Sequence, residues 1–451
     1  MYWKSHSLPS YQTTKLINKI TKMMKKLFFL PIAVVLGALT FTACSDDDDD
    51  DDNNNNSNSS TIVDDARYKD RSYGKAAIDA CEEVVTNFEA ANSTIALSEL
   101  TSDQETYLRN VLAGLVSNVI VPTYTELADD VEDLEKTLNG LTVNSITQAQ
   151  INKACEDFKD ARENWERSEA FLMGAASDFD IDPTIDSWPL NRSLLLSYFN
   201  KGMNDEMLED ATILGFHALE FILFRNGQPR KVAEFQGNDT YKNFGKISGA
   251  QELKYAQTIC TLLKQRCFQL QVAWEGEKNA SRVSVVKAAG LDITTEAGLN
   301  YGDNLIQAGV AGSKSTFATI EEAIAQVLSD DEGSCVGIAN EVGTAKIANP
   351  FAAGDISYVE SPYSYNSITD FQDNIRSIRN VWYGSTNGSP ASVSFYNFFQ
   401  NVDASAVNTS VTGSFNDAIS KIGAMPAPFV KYCSTVWNRE FTDDEDWEVE
   451  E

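Results

Sequence analysis

Histidine is almost missing from this chain. Its 451 residues hold two, His6 and His217, and His6 lies in an N-terminal stretch that reads as a leader. One histidine cannot supply the pair that most catalytic zinc sites use, and no H-E-x-x-H occurs. A serine triad would need His217 as its base, yet no G-x-S-x-G elbow is present. No Walker loop or dinucleotide fingerprint is found either. Positive charge is scarce: 36 Lys and Arg face 66 Asp and Glu, a net charge of −30. Residues 1–43 carry six lysines and no acid, so the remainder holds 30 basic against 66 acidic residues. Phosphate backbones would be repelled, which argues against nucleic acid as a partner. The plain reading of the acidity is solubility, and attraction of cations is the functional alternative.

Cysteine offers little. No C-x-x-C exists, and six cysteines remain besides Cys44. An even number permits disulfides outside the cytoplasm. Yet Cys81, Cys155, Cys260 and Cys267 fall in amphipathic helical patterns, where a thiol serves as a small apolar side chain. Buried thiols are the expectation. Strand signals are few, Ser357–Glu360 being at best a short extended piece.

The chain opens with what reads as targeting sequence. Residues 1–22 look like an upstream extension or a misassigned start. Residues 23–43 follow the plan of a lipoprotein signal: a short basic region at Met23-Met24-Lys25-Lys26, then an apolar run from Leu27 to Ala43. The run closes on Phe41-Thr42-Ala43-Cys44, which resembles a lipobox and makes Cys44 the candidate lipidation site and membrane anchor. A transmembrane anchor is the alternative, and the shortness of the run speaks against it. Residues 44–62 are a tether of seven aspartates and an Asn/Ser run, too polar to bury surface. The tether resembles the acidic signals that send some Gram-negative lipoproteins to the cell surface; a plain spacer is the alternative. An outer-membrane lipoprotein, facing the periplasm or the outside, is the expected localisation.

The rest reads as helix. At 49.7 kDa, with 43% hydrophobic residues, two domains are the prior expectation. Apolar residues recur at three- and four-residue spacing from Ala66 to Ala91. Ser102-Asp-Gln-Glu105 matches a capping box opening a helix toward Leu138, kinked near Pro122. Thr147-Gln-Ala-Gln150 opens another, toward Gly174. An irregular stretch covers 178–190, and a helix from about Asp205 carries His217 and stops at Asn226-Gly227. A long helix fills about 251–277, and shorter ones follow at 315–328, 337–348, 367–383, 392–402, 411–422 and 426–441. The reading is all-α: a first bundle over 63–230, a linker over 231–250, a second bundle over 251–441 and an acidic tail over 442–451. A loose echo of Arg162-x-x-Trp165 in Arg379-x-x-Trp382 hints at duplication.

Four places could carry chemistry. His217 and Glu220 sit one helical turn apart inside Gly215–Phe224, a run apolar nearly all round. Polar groups buried there either satisfy each other or form a metal or acid–base site. In Arg162–Phe171, Arg162 and Glu166 read as intrahelical ion pairs on a solvated face. Glu169, followed by Ala170-Phe-Leu-Met173, reads as the better buried carboxylate. The rigid loop Ile181–Leu190 carries Asp186 and Trp188, as turn formers or as the lining of a cleft. Finally come Glu341–Pro350 and Val359–Ser367, holding Glu341, Glu360 and Ser364; the helix start after the second could hold an anion. One imidazole with several carboxylates suits iron, manganese, calcium or weakly held zinc.

These residues carry a resemblance to the imelysin family, whose hallmark G-x-H-x-x-E is met by Gly215, His217 and Glu220. The order of the Trp165–Phe171, Ile185–Leu190, Gly215–Phe224, Glu341–Pro350 and Val359–Asn374 stretches supports it. The resemblance implies two related helical bundles with the hallmark helix near their interface. It also implies an extracytoplasmic, often membrane-attached protein, similar to insulin-cleaving metalloproteases and to iron-regulated proteins. Three functional readings follow. One is a lipid-anchored binding protein for a divalent metal, held by His217, Glu220, Glu169 and Asp186, with Arg162, Trp165, Trp188, Glu341, Glu360 and Ser364 lining the site. The second is a metallopeptidase with Glu220 as general base. The third is a non-catalytic surface binder of peptide or glycan. A monomer is the default oligomeric state.

Overall fold

The structure is a computed structural model that describes residues 66–433 apart from 97–98, 204–207, 354–355 and 403. Cys44, the leader, the tether and the acidic tail lie outside the described residues. Thirteen α-helices of seven residues or more organise the described residues. α1 spans Ser72–Ala96, α2 Ser102–Leu115, α3 Val121–Asn139 and α4 Gln148–Glu166. α5 spans Arg192–Asn200, α6 Gly215–Leu223, α7 Gly249–Glu275, α8 Ala280–Ala288 and α9 Ile320–Leu328. α10 spans Cys335–Glu341, α11 Ser367–Tyr383, α12 Phe395–Asn401 and α13 Ser405–Ala424. The strand content of the described residues is one two-residue pair, β1 Phe224–Arg225 with antiparallel β2 Gln228–Pro229, turned by Asn226-Gly227. The fold is all-α, as the periodicity predicts.

Local chemistry explains most boundaries. The Thr147 hydroxyl accepts from the Gln150 amide while the Gln150 side chain returns to the Thr147 amide, so the expected capping box starts α4. At α2 the box is built by Thr101 with Gln104, one residue before the expected Ser102. The bend expected near Pro122 takes the form of a π-turn over Val116–Ile120, with Pro122 in the first turn of α3. α4 ends at Glu166, short of the expected Gly174, and a 3₁₀ turn over Glu169–Phe171 replaces its last part. The histidine helix is also shorter than expected. It begins at Gly215 rather than near Asp205 and yields to β1 before Asn226. The extended piece expected at Ser357–Glu360 is a 3₁₀ turn over Ile356–Tyr358.

Packing sorts the main helices into two groups. α3, α4, α6 and α7 pack together, and so do α1, α10, α11 and α13. The grouping does not follow the expected partition at 231–250. α1 joins the helices of the second half, and α7 joins those of the first. One hydrophobic cluster runs through both groups, from Ala77 and Phe88 of α1 to Phe415 of α13 and Ile259 of α7. Residues 231–250 are part of it: Phe235, Phe244 and Ile247 are all buried. Apolar side chains at those positions tie the segment to the core, where a linker would run over the surface. All six described cysteines are buried free thiols, the state expected for Cys81, Cys155, Cys260 and Cys267 from their helical placement.

Candidate functional site

The two helix groups meet along α4 and α11, and a dense polar cluster lies in that seam. From one side come Arg162 and Glu166 at the end of α4, Glu169 in the 3₁₀ turn, Asp186, and His217 and Glu220 on α6. From the other come Lys346, Glu360, Ser361, Ser364, Asp370 and Asn374. Every one of these side chains is buried, none above 7% exposed.

Gly215 fixes how α6 enters the site. Its φ is +72°, and a Cβ built there would lie 2.0 Å from the Ile185 carbonyl oxygen. Only glycine allows that approach. The contact presses the start of the histidine helix against the residue preceding Asp186. His217 Nε2 then lies 3.2 Å from Asp186 Oδ1 and 4.0 Å from Glu360 Oε1. The approach to Asp186 is a close charge contact without an aligned hydrogen bond. His217 Nδ1 faces Glu220 Oε2 at 3.6 Å.

Glu220 joins the two sides of the seam. Its Oε1 accepts from the Tyr363 amide at 3.0 Å, the Ser364 amide at 2.7 Å and the Ser364 hydroxyl at 2.7 Å. These donors sit in the turn before α11, and not at the helix start where an anion site is expected. Glu220 Oε2 faces the imidazole on its Nδ1 side, and Nε2 is turned to Asp186 and Glu360. Asp186 is held in turn by the Trp165 indole, whose Nε1 donates to Oδ2 at 2.7 Å, and by Arg162 on Oδ1.

Arg162 is the central cation. It pairs with Asp186 and Glu166, donates to Glu360 at 2.7 Å, and lies 3.8 Å from Asp370. The expectation of a solvated face for Arg162 and Glu166 is overturned, since they are 1% and 0% exposed. The (i, i+4) spacing is compatible with either face; only the packing of α11 over this turn of α4 decides it. Lys346 is the second cation and was not singled out by its sequence. A π-helical stretch over Val342–Ala348 carries it, and it donates to Glu360 at 3.0 Å and lies 3.5 Å from Glu341. Glu341 itself is at the edge, with 41% of its side chain exposed. Asp370 and Asn374, on one face of α11, were likewise missed; Asn374 donates to Glu166 and Asp370 accepts from Ser361. Their residue types on an amphipathic helix carry no sign that this face is internal.

Charge is not balanced in the seam. Six buried carboxylates (Glu166, Glu169, Asp186, Glu220, Glu360, Asp370) face two permanent cations, Arg162 and Lys346. A second buried network is balanced: Arg225 and Arg230 meet Asp239 and Glu252, with contacts of 2.8 Å, 3.2 Å and 3.0 Å. The seam responds by holding protons. Burial pushes the Glu166 and Glu169 carboxyls far above the usual range, and Asp370 up to about 7. Asp186 goes the other way: burial would raise it, but Arg162 and then His217 hold it well below. For His217, burial would lower the value, and the Asp186 and Glu220 carboxylates outweigh it, lifting it to about 9.

Two sets of donor atoms could hold a metal, Asp186–His217–Glu360 and Glu166–Glu169–Asp186, each with atoms within 4.8 Å of one another. The expected His217, Glu220, Glu169 and Asp186 do not share one set: Glu220 is in neither, and Glu360 joins His217 and Asp186 in the first. The orphaned atoms favour the first set. His217 Nε2, Glu360 Oε2 and Glu220 Oε2 are buried with no hydrogen-bond partner. Such atoms are costly to bury unless something meets them. Metal–ligand bonds of about 2.1 Å put neighbouring donors roughly 3 Å apart, close to the 3.2 Å between His217 and Asp186. The residues fit a cation. His217 also lines an open cleft with Trp188, Pro189, Arg192, Val359 and Tyr363, so the centre has a way out. The half-buried Trp188 donates to the Tyr358 carbonyl at 3.2 Å, at the rim.

Fold and site together define an all-α protein with a buried centre of one histidine and many carboxylates. The sequence profile of the family described as Imelysin (peptidase M75) matches residues 120–446, and the chain belongs to that family. A curated relative is iron-regulated protein A of Synechococcus elongatus, 24% identical over 348 residues, covering 77% of this chain and 82% of the relative. The fold is shared with a solved structure from Parabacteroides distasonis, provisionally named an iron-regulated protein A precursor. It has a TM-score of 0.55 and 22% identity, covering 72% of this chain and 95% of the other.

Proposed function

We propose that this chain is a metal-binding protein of an iron-uptake system, displayed at the outer membrane by a lipid on Cys44. Its cargo is iron or a similar divalent ion, held by His217, Asp186 and Glu360. The observation that carries the reading is the group of orphaned donor atoms in a seam with more buried carboxylates than cations. A cation would meet those atoms and take the place of protons that the seam otherwise holds. Arg162 and Trp165 serve as positioning residues that hold Asp186, and Glu220 faces the imidazole across 3.6 Å. The iron-regulated name of the cyanobacterial relative agrees with this cargo.

The peptidase reading has less support. A general base needs a free carboxylate facing a water, and Glu220 already spends one oxygen on three donors. The deciding experiment is calorimetric titration of metal-stripped protein with Fe²⁺, Mn²⁺, Zn²⁺ and Ca²⁺. Binding of at least one ion, lost in His217→Ala and weakened in Glu360→Gln, is the expected result. No binding, or binding indifferent to His217, sinks the proposal.

A further inference from the structure

A second cavity shares no lining residue with the cleft over His217 and is the larger, at about 160 Å³ against about 60 Å³. Gly174, Trp274 near the end of α7, the segment from Thr295 to Phe317 and Gln326 of α9 enclose it. Its lining holds no lysine, arginine or histidine, and one carboxylate, Asp178. Tyr301 donates to Asp178 Oδ2 at 2.7 Å, which fixes the carboxylate and leaves Oδ1 open. Asn304 Nδ2 donates to Thr316 Oγ1 at 2.9 Å, and the Thr316 amide donates back to Asn304 Oδ1 at 2.8 Å. The Thr316 hydroxyl is thus held in place with its own proton still to give. Trp274 is 2% exposed, and its Nε1 meets no hydrogen-bond partner. A buried indole N–H ordinarily finds one. A Cβ built on Gly174 would stand 3.6 Å from Trp274 Cζ2, two bonds from Nε1, so this edge of the ring faces the Gly174 wall. The half-buried Gln326 amide also has no partner among the described residues.

This set of groups selects a chemistry. An anion would find no cation to pair with, and Asp178 would repel it. A hydrocarbon would leave the indole N–H, the Gln326 amide and the carboxylate unmet. A ring bearing several hydroxyls both gives and accepts at each of them, and its C–H faces suit the aromatic side chains of Trp274, Tyr301 and Phe317. Size agrees, since a closed cavity of about 150 Å³ takes a benzene ring. This one has exposed lining residues, Asp178 and Thr316, at which substituents can reach solvent. We propose that the cavity binds one neutral sugar ring. Asp178 Oδ1 and the Gln326 side-chain carbonyl accept from its hydroxyls, while the Trp274 N–H, the Gln326 NH₂ and the Thr316 hydroxyl donate to them. The site shares no residue with the metal centre and does not depend on that reading.

The test is calorimetric titration of the full chain with glucose, galactose, mannose and N-acetylglucosamine, with glucuronate and glucosamine as the anionic and cationic counterparts. At least one of the four neutral sugars is expected to bind one to one, with glucuronate at least tenfold weaker. Gln326→Leu keeps the side chain's bulk and breaks no hydrogen bond of the fold, so it should weaken the sugar at least tenfold with an unchanged melting temperature. Trp274→Phe removes the N–H, keeps an aromatic ring and should act in the same direction. No neutral sugar bound, glucuronate or glucosamine bound in its place, or binding indifferent to both variants overturns the proposal. Each of these outcomes leaves the metal reading standing.

Discussion

Gly215 is where sequence, packing and site geometry can be tested with one methyl group. Gly215→Ala puts a Cβ 2.0 Å from the Ile185 carbonyl oxygen, and carbon and carbonyl oxygen settle at about 3.3 Å. More than an ångström must therefore open between the start of α6 and the residue before Asp186. A left-handed backbone costs an L-residue about 1–2 kcal/mol, and forcing extra volume into a packed interior about 1–3 kcal/mol. The expected loss is about 2–5 kcal/mol by urea denaturation of the metal-free protein. Gly290→Ala provides the comparison. Gly290 has φ +69° and nothing within 4 Å of its would-be Cβ, so it should show the backbone part alone, about 1 kcal/mol. The displacement also separates Asp186 from His217, so Mn²⁺ affinity should drop at least tenfold in Gly215→Ala and stay unchanged in Gly290→Ala. Equal losses in the two variants, with metal affinity intact in both, would refute the claim that this contact sets the site.

Three further outcomes are expected. Lys346→Met removes one of two buried cations facing Glu360, and should cost the metal-free protein about 3–5 kcal/mol at neutral pH; a metal that offsets the same charge should restore part of it, read as a shift in Tm. His217, raised to about 9 in the folded chain, stabilises most fully below pH 6.5. That contribution should fade as pH rises from 6.5 to 9, by at most about 1.4 kcal/mol per pH unit. His217→Gln should lack this slope in pH-dependent denaturation, and an unchanged slope would discount the histidine's charge. The six described cysteines, with burial raising every thiol for which a shift is resolved, should ignore a water-soluble thiol reagent until urea unfolds the chain.

Much of this protein is encoded locally. Apolar spacing at three and four residues and the Thr147–Gln150 box follow from neighbouring residues, so the all-α class and most helix positions are legible in the sequence. Gly215-x-His217-x-x-Glu220 is legible too, because polar residues in an apolar helix need a reason to be there. Three things needed the folded chain. Helix α1 crosses to the second-half helices and α7 to the first, a choice made by which apolar faces fit and not by chain order. Arg162 and Glu166 look like any surface (i, i+4) pair until α11 covers them. Glu360 and Lys346 join His217 from more than a hundred residues away, and the excess of buried carboxylate over cation exists only once both sides of the seam are closed. The spacing of one histidine and one glutamate belongs to a helix turn; the unmet donor atoms around them belong to the packing.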